Sequence, residues 1–180
     1  TANVYVKLSN GTAQLLLNLK GPQGASGNSA AKSVRIVQNA SPTQTVQSGT
    51  VLAMGFLAWD TFSPTASPYN LLSLSSVAGA TTLYHITAQV EFSAVTSGSR
   101  EVGLYRSVDG NTWQFVNAAT SPAVTFIGKT TTVNFSTLDW ILSGTTFKYR
   151  LQATVADNLV PVQVLNSTTW LSAEYVGVLP

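Results

Sequence analysis

The clearest pattern in the chain is an alternation over residues 84–92, where Tyr84, Ile86, Ala88, Val90 and Phe92 interleave with His85, Thr87, Gln89 and Glu91. A period of two sends successive side chains to opposite faces, so this run predicts a strand with one face in a core. Residues 146–155 repeat the pattern, with Phe147, Tyr149, Leu151, Ala153 and Val155 on one side and Lys148, Arg150, Gln152 and Thr154 on the other. Over residues 170–176, Leu171, Ala173 and Tyr175 share one face, while Trp170, Ser172, Glu174 and Val176 form a mixed second face. Residues 101–107 and 112–116 flank Asp109-Gly110, a dipeptide suited to the positive torsions of hairpin turns, and are predicted to pair antiparallel. Shorter β-rich runs at 33–38, 49–58, 71–77, 124–127, 131–136 and 162–166 bring the total to about nine or ten strands. No helix of useful length is predicted. Many short strands with frequent breakers predict an all-β fold, a two-sheet antiparallel jelly-roll sandwich over residues 30–180.

The first 29 residues differ in kind. Extended runs at 4–8 and 15–19 surround Asn10-Gly11, and predict a strand pair or a β shaft segment over residues 1–20. Residues 21–29 read Gly-Pro-Gln, Gly-Ala-Ser, Gly-Asn-Ser, so Gly21, Gly24 and Gly27 fall at every third position. Collagen has this spacing because only a hydrogen side chain fits the crowded axis of three chains. Three triplets alone do not make a stable triple helix, and the stretch also reads as a Gly/Ser-rich linker.

Composition narrows the function classes. Charged residues are 9% of the 180, against about 25% in an average soluble domain, so the polar surface is nearly uncharged. Nine Lys and Arg against seven Asp and Glu give a net +2 without a basic run, which argues against nucleic-acid binding. The longest apolar stretches, such as 15–17 and 51–59, fall far short of the roughly 20 residues of a membrane span, and no membrane insertion is expected. The single histidine, His85, lies mid-strand with no nucleophile-elbow sequence in the chain, which argues against Ser-His-Asp chemistry. Zinc would need a second histidine or a cysteine, and the chain has neither. Asp60, Glu91, Glu101, Asp109, Asp139, Asp157 and Glu174 are spread singly, without the clustering of a calcium loop. No catalytic, cofactor or metal residue is assigned and no enzyme is expected. Two alternatives stay open: a β-sandwich glycoside hydrolase, should two strands bring carboxylates together, and a non-viral carbohydrate-binding adhesin. The adhesin reading rests on Trp59, Trp113, Trp140 and Trp170, whose indole faces could stack on sugars but equally suit core or interface packing.

The order of the parts resembles a known family. Ala58-Trp59-Asp60-Thr61, Asn70-Leu71-Leu72 and Val77-Ala78-Gly79, followed by Leu83-Tyr84-His85-Ile86-Thr87-Ala88-Gln89-Val90, resemble the first half of the complement-type globular heads and tumour necrosis factor-like trimers. Residues 140–151 resemble the later strand pair and 167–176 the closing strand, so the likeness covers about residues 30–180. With the glycine triplets in front, the arrangement is similar to vertex spikes of tectivirus-type bacteriophages, in which a short collagen-like segment carries such a head. The resemblance implies a homotrimer on the virion surface, joined to an upstream capsid-anchoring region and binding a host-cell receptor, protein or glycan. It implies no cofactor. The opening at Thr1 agrees with an expected upstream region.

Within this family, residues 83–92, 146–155 and 169–176 are expected to be sheet neighbours whose non-core faces meet at the threefold axis. The expected interface is His85, Gln89, Glu91, Lys148, Arg150, Trp170 and Glu174, with Lys148 or Arg150 paired to Glu91 or Glu174. Receptor contact is expected on the loops at 60–69, 96–100, 107–111 and 156–161, through Asp60, Tyr69, Arg100, Asp109 and Asp157.

Overall fold

The computed structural model describes residues 2–7, 13–19, 33–38, 43–47, 49–60, 71–94, 97–124, 128–156, 162–165 and 168–179, with 2–7, 13–19 and 55–60 as backbone. The Asn10-Gly11 turn, the triplet glycines Gly21, Gly24 and Gly27, and most of the 124–127 run lie outside the described residues. The chain divides into two units, Thr1–Ala30 and Ala31–Pro180. In the first, β1 (Ala2–Lys7) pairs antiparallel with β2 (Ala13–Leu19), and the register shifts between Val4 and Tyr5.

The second unit contains β3 (Ser33–Gln38), β4 (Gln44–Val46), β5 (Thr50–Val51), β6 (Met54–Asp60), β7 (Leu72–Ser75), β8 (Thr82–Phe92), β9 (Ser99–Ser107), β10 (Gln114–Pro122), β11 (Thr131–Ile141), β12 (Thr146–Val155), β13 (Val162–Val164) and β14 (Trp170–Val178). A seven-stranded sheet runs β4-β13-β8-β14-β3-β6, with β11 on the other edge of β8. A five-stranded sheet runs β10-β9-β12-β5, with β7 also paired to β12. The described pairings are antiparallel, and no helix occurs among the described residues.

The inner faces follow from the alternation. Strand β8 buries Tyr84, Ile86, Ala88, Val90 and Phe92, and β12 buries Phe147, Tyr149, Leu151, Ala153 and Val155 from the opposite sheet. Val102 and Leu104 of β9, Ile36 of β3 and Leu171 of β14 complete one contiguous core. Burying each large apolar side chain stabilises the fold by about 1.5–3 kcal/mol relative to leaving it in water. The predicted two-sheet sandwich is the observed fold.

Several elements differ from their predicted bounds. The 49–58 run divides into β5 and β6, in different sheets, because the chain crosses the sandwich at Leu52 and Ala53. Strand β11 continues past 136 to Ile141, since its whole length pairs with β8. The larger correction concerns β12: it pairs with β9, β7 and β5, so it is not a sheet neighbour of β8 and β14.

Candidate functional site

Two outer sheet faces carry the predicted interface residues. On the seven-stranded sheet the register sets out cross-strand rows. His85 stands between Glu174 of β14 and Leu138 of β11, and Gln89 between Trp170 and Asn134. Arg35 of β3 lies opposite Ser172, and its guanidinium carbon is 4.1 Å from the centre of the Trp170 ring. Burial against the sheet pushes the Arg35 pKa below its ordinary value. Ser33, Arg35, His85, Thr87, Ser172, Ala173 and Glu174 line a half-open depression of about 310 Å³, in which the Thr87 and Ser172 hydroxyls share a hydrogen bond of 2.8 Å.

One end of this face is apolar. Trp140 lies opposite Leu83, which lies opposite Gly177, whereas the next row, Ile141, Thr82 and Val178, has the parity of the inner face, where Ile141 and Thr82 are buried. Leu138 is 59% exposed and Leu142 62% exposed, with Trp140, Val176 and Leu179 also exposed. Exposed apolar side chains grouped in one place, rather than scattered, mark an interaction surface.

Lys148 and Arg150 are on the outer face of the five-stranded sheet, away from Glu91 and Glu174. The predicted single interface containing all of His85, Gln89, Glu91, Lys148, Arg150, Trp170 and Glu174 is therefore divided between opposite faces of the sandwich. The predicted ion pairs do not form either, since the Glu91 carboxylate accepts from the Thr130 hydroxyl. Among the described residues the ion pair is Arg106–Asp139, inside the sandwich, with the Tyr149 hydroxyl donating to the other Asp139 oxygen at 2.8 Å. Burial and the neighbouring Asp139 charge hold Tyr149 neutral to well above the ordinary tyrosine range.

The Arg150 guanidinium carbon is 4.1 Å from the centre of the Trp113 ring and 5.8 Å from that of Tyr105. Tyr105 and Phe115, directly opposite on β9 and β10, meet edge to face with centroids 5.7 Å apart. Tyr105 can lie over Gly103 because that residue has no Cβ, which would stand 2.9 Å from the Tyr105 ring. Phe115 is 61% exposed. These residues make a continuous Trp113–Arg150–Tyr105–Phe115 array, which sequence reasoning missed because Trp113 and Phe115 precede and begin a strand with no clean alternation.

The receptor-loop residues fall in unequal places. Asp109 is in the hairpin between β9 and β10, where its carboxylate accepts from the Ser107 hydroxyl and the Asn111 and Thr112 amides. Those bonds lower its pKa to about 2. Gly110 has a φ of 84°, a torsion that glycine adopts freely. Arg100 corrects its prediction. It is fully buried on the inward side of β9 with Val102 and Leu104, and its guanidinium donates to the Ser97 and Ser99 carbonyls. Asp60 ends β6, while Tyr69 and Asp157 lie outside the described residues.

No protein-family model matches the sequence, and no curated protein does. Solved structures do match in fold. Eiger, a tumour necrosis factor from S. frugiperda, superposes with a TM-score of 0.60 at 12% identity, over 83% of this chain and 95% of that one. Murine APRIL gives 0.51 at pH 5.0 and 0.54 at pH 8.5, each at 11% identity over 81% of this chain and 99% of that one. The chain has the tumour necrosis factor-like jelly-roll fold.

Proposed function

We propose that this chain is the trimeric head of a virion spike that attaches to a host-cell receptor, and that it performs no catalysis. The observation that carries the trimer is the exposed apolar end of the seven-stranded sheet, where Leu138, Trp140, Leu142 and Val176 are exposed near Leu83. A threefold interface there would cover those side chains and continue over His85, Gln89, Glu91, Trp170 and Glu174, leaving Lys148 and Arg150 outside. The family resemblance of residues 30–180 supports the same face, and the Gly21, Gly24 and Gly27 spacing supports a collagen-like lead-in. A head that fixes three chains in register raises their effective concentration, which favours even a short triple helix. Asp109 and the other connecting loops are proposed to contribute to receptor contact.

Light scattering of the full chain tests the assembly, with a mass three times that of one chain expected at micromolar concentration. Competition between purified head and virions for host cells tests attachment, with blocked adsorption expected. A monomer in the first experiment overturns the trimer, and unimpeded adsorption in the second overturns the attachment role.

A further inference from the structure

We infer that the outer face of the five-stranded sheet is a binding platform for an acidic saccharide, made by Tyr105, Trp113, Phe115, Lys148 and Arg150. This rests on the attachment reading above and assigns a chemical class to the receptor. It adds a strand face to the loops as a place of contact.

The rings supply the first requirement. The apolar C–H face of a pyranose stacks on an aromatic face, and Phe115, 61% exposed beside Tyr105, offers such a surface on paired strands rather than on a loop. Tyr105 meets this ring in a T-shaped contact, at an interplanar angle of 72°.

Charge supplies the second. Lys148 and Arg150 are two residues apart on β12 and so share this face. Among the described residues neither has a carboxylate partner, and the nearby Asp109 carboxylate is committed to its own turn. The Arg150 Nε is buried without a hydrogen-bond partner, and Trp113 holds the guanidinium by stacking. A guanidinium fixed in this way loses little freedom on meeting a carboxylate or sulfate with its fork of donors. The Lys148 ammonium reaches over Gly110, 3.2 Å from where a Cβ would stand, and brings a second cation to the same side.

The combination selects the ligand. A nucleic acid would call for a longer basic stripe than two cations, and a neutral sugar would use them only as hydrogen-bond donors, without the charge. An acidic sugar uses both, with its ring on Phe115 and Tyr105 and its anionic group on Arg150 and Lys148.

The full chain is titrated with 3′-sialyllactose, a sulfated heparin disaccharide, lactose and hexaglutamate, following Trp fluorescence and calorimetric heat. Saturable binding of one or both acidic sugars is expected, with lactose at least about tenfold weaker, a difference of about 1.4 kcal/mol. The carboxylated and sulfated arms tell which anion is preferred. Arg150→Gln and Phe115→Ala should each weaken the acidic sugar about tenfold or more, and Lys148→Gln, which leaves the ring stack in place, should weaken it less. Each variant's melting curve is recorded, and Lys148→Gln serves should Arg150→Gln fail to fold. Equal binding of lactose, equal binding of hexaglutamate, or no binding of either acidic sugar overturns the inference. Light scattering on the same samples separates the two readings: a trimer that ignores acidic sugars overturns only this one.

Discussion

Tyr149 and Asp139 join the two sheets of the sandwich through one hydrogen bond of 2.8 Å, from a hydroxyl on β12 to a carboxylate on β11. Arg106, on β9, pairs with the same carboxylate and lies 4.6 Å from the centre of the Phe147 ring. The three polar groups satisfy one another where either sheet alone would leave them unpaired. Replacing Asp139 with Ala strands a part-buried guanidinium and a buried phenol, and is expected to destabilise the head by about 3 kcal/mol. Tyr149→Phe removes only the phenol's bond, at about 1–1.5 kcal/mol. Urea unfolding of the two single variants and the double variant checks both values, and the double should be less unstable than the sum.

Alkaline pH should weaken the fold through Tyr84. Burial, with the Tyr175 ring beside it, raises its pKa from 10.0 to about 12, and its hydroxyl donates to the Ser75 carbonyl at 2.7 Å. The unfolded chain therefore releases this proton first, so the stabilisation is complete below about pH 10 and lost as pH rises towards 12. Thermal melts across that window should fall steeply for the native chain and less steeply for Tyr84→Phe.

Acid acts on the hairpin with the opposite sign. The Asp109 pKa is lowered from 3.8 to about 2 by the Thr112 and Asn111 amides and the Ser107 hydroxyl. The unfolded chain takes up the proton first, so the turn keeps its full stabilisation above about pH 4 and loses it as pH falls through 2. Protection of the Asn111 and Thr112 amides, taken relative to their intrinsic exchange rates, should fall over that range, and Asp109→Ala should lack it at every pH.

The apolar end of the seven-stranded sheet separates assembly from folding. Leu138 is 59% exposed within one chain, so Leu138→Glu should change the stability of a lone head by no more than about 0.5 kcal/mol. In a trimer using this face, the same change buries an unpaired carboxylate in each copy and should release folded monomers. Analytical ultracentrifugation with circular dichroism distinguishes that result from unfolding.

The fold was largely legible because half-buried strands display their period directly. Ser33–Gln38, Thr82–Phe92 and Thr146–Val155 each bury every second residue without a break, and each was readable to within two residues at either end. Which strands share a sheet was not legible, because alternation fixes a strand's faces but not its partners. Lys148 and His85 have the same pattern around them, yet Lys148 lies opposite Ser107 and Ser73 while His85 lies opposite Glu174. The inner ion pair left a fainter trace. Arg106 and Asp139 each occupy the inward parity of a strand, Arg106 in step with Val102 and Leu104 and Asp139 with Val133 and Ile141. Two opposite charges at core parity were the available signal.

The first strand of the larger unit bears on mechanics. β3 is hydrogen-bonded on both flanks, to β14 from Ser33 to Val37 and to β6 from Val34 to Gln38. Tension arriving along the backbone from residues 1–30 thus enters through a strand clamped on two sides, and two ladders share the load. A tether attached to an edge strand could be peeled off one bond at a time. Here the pulled strand has to slide out from between its two neighbours.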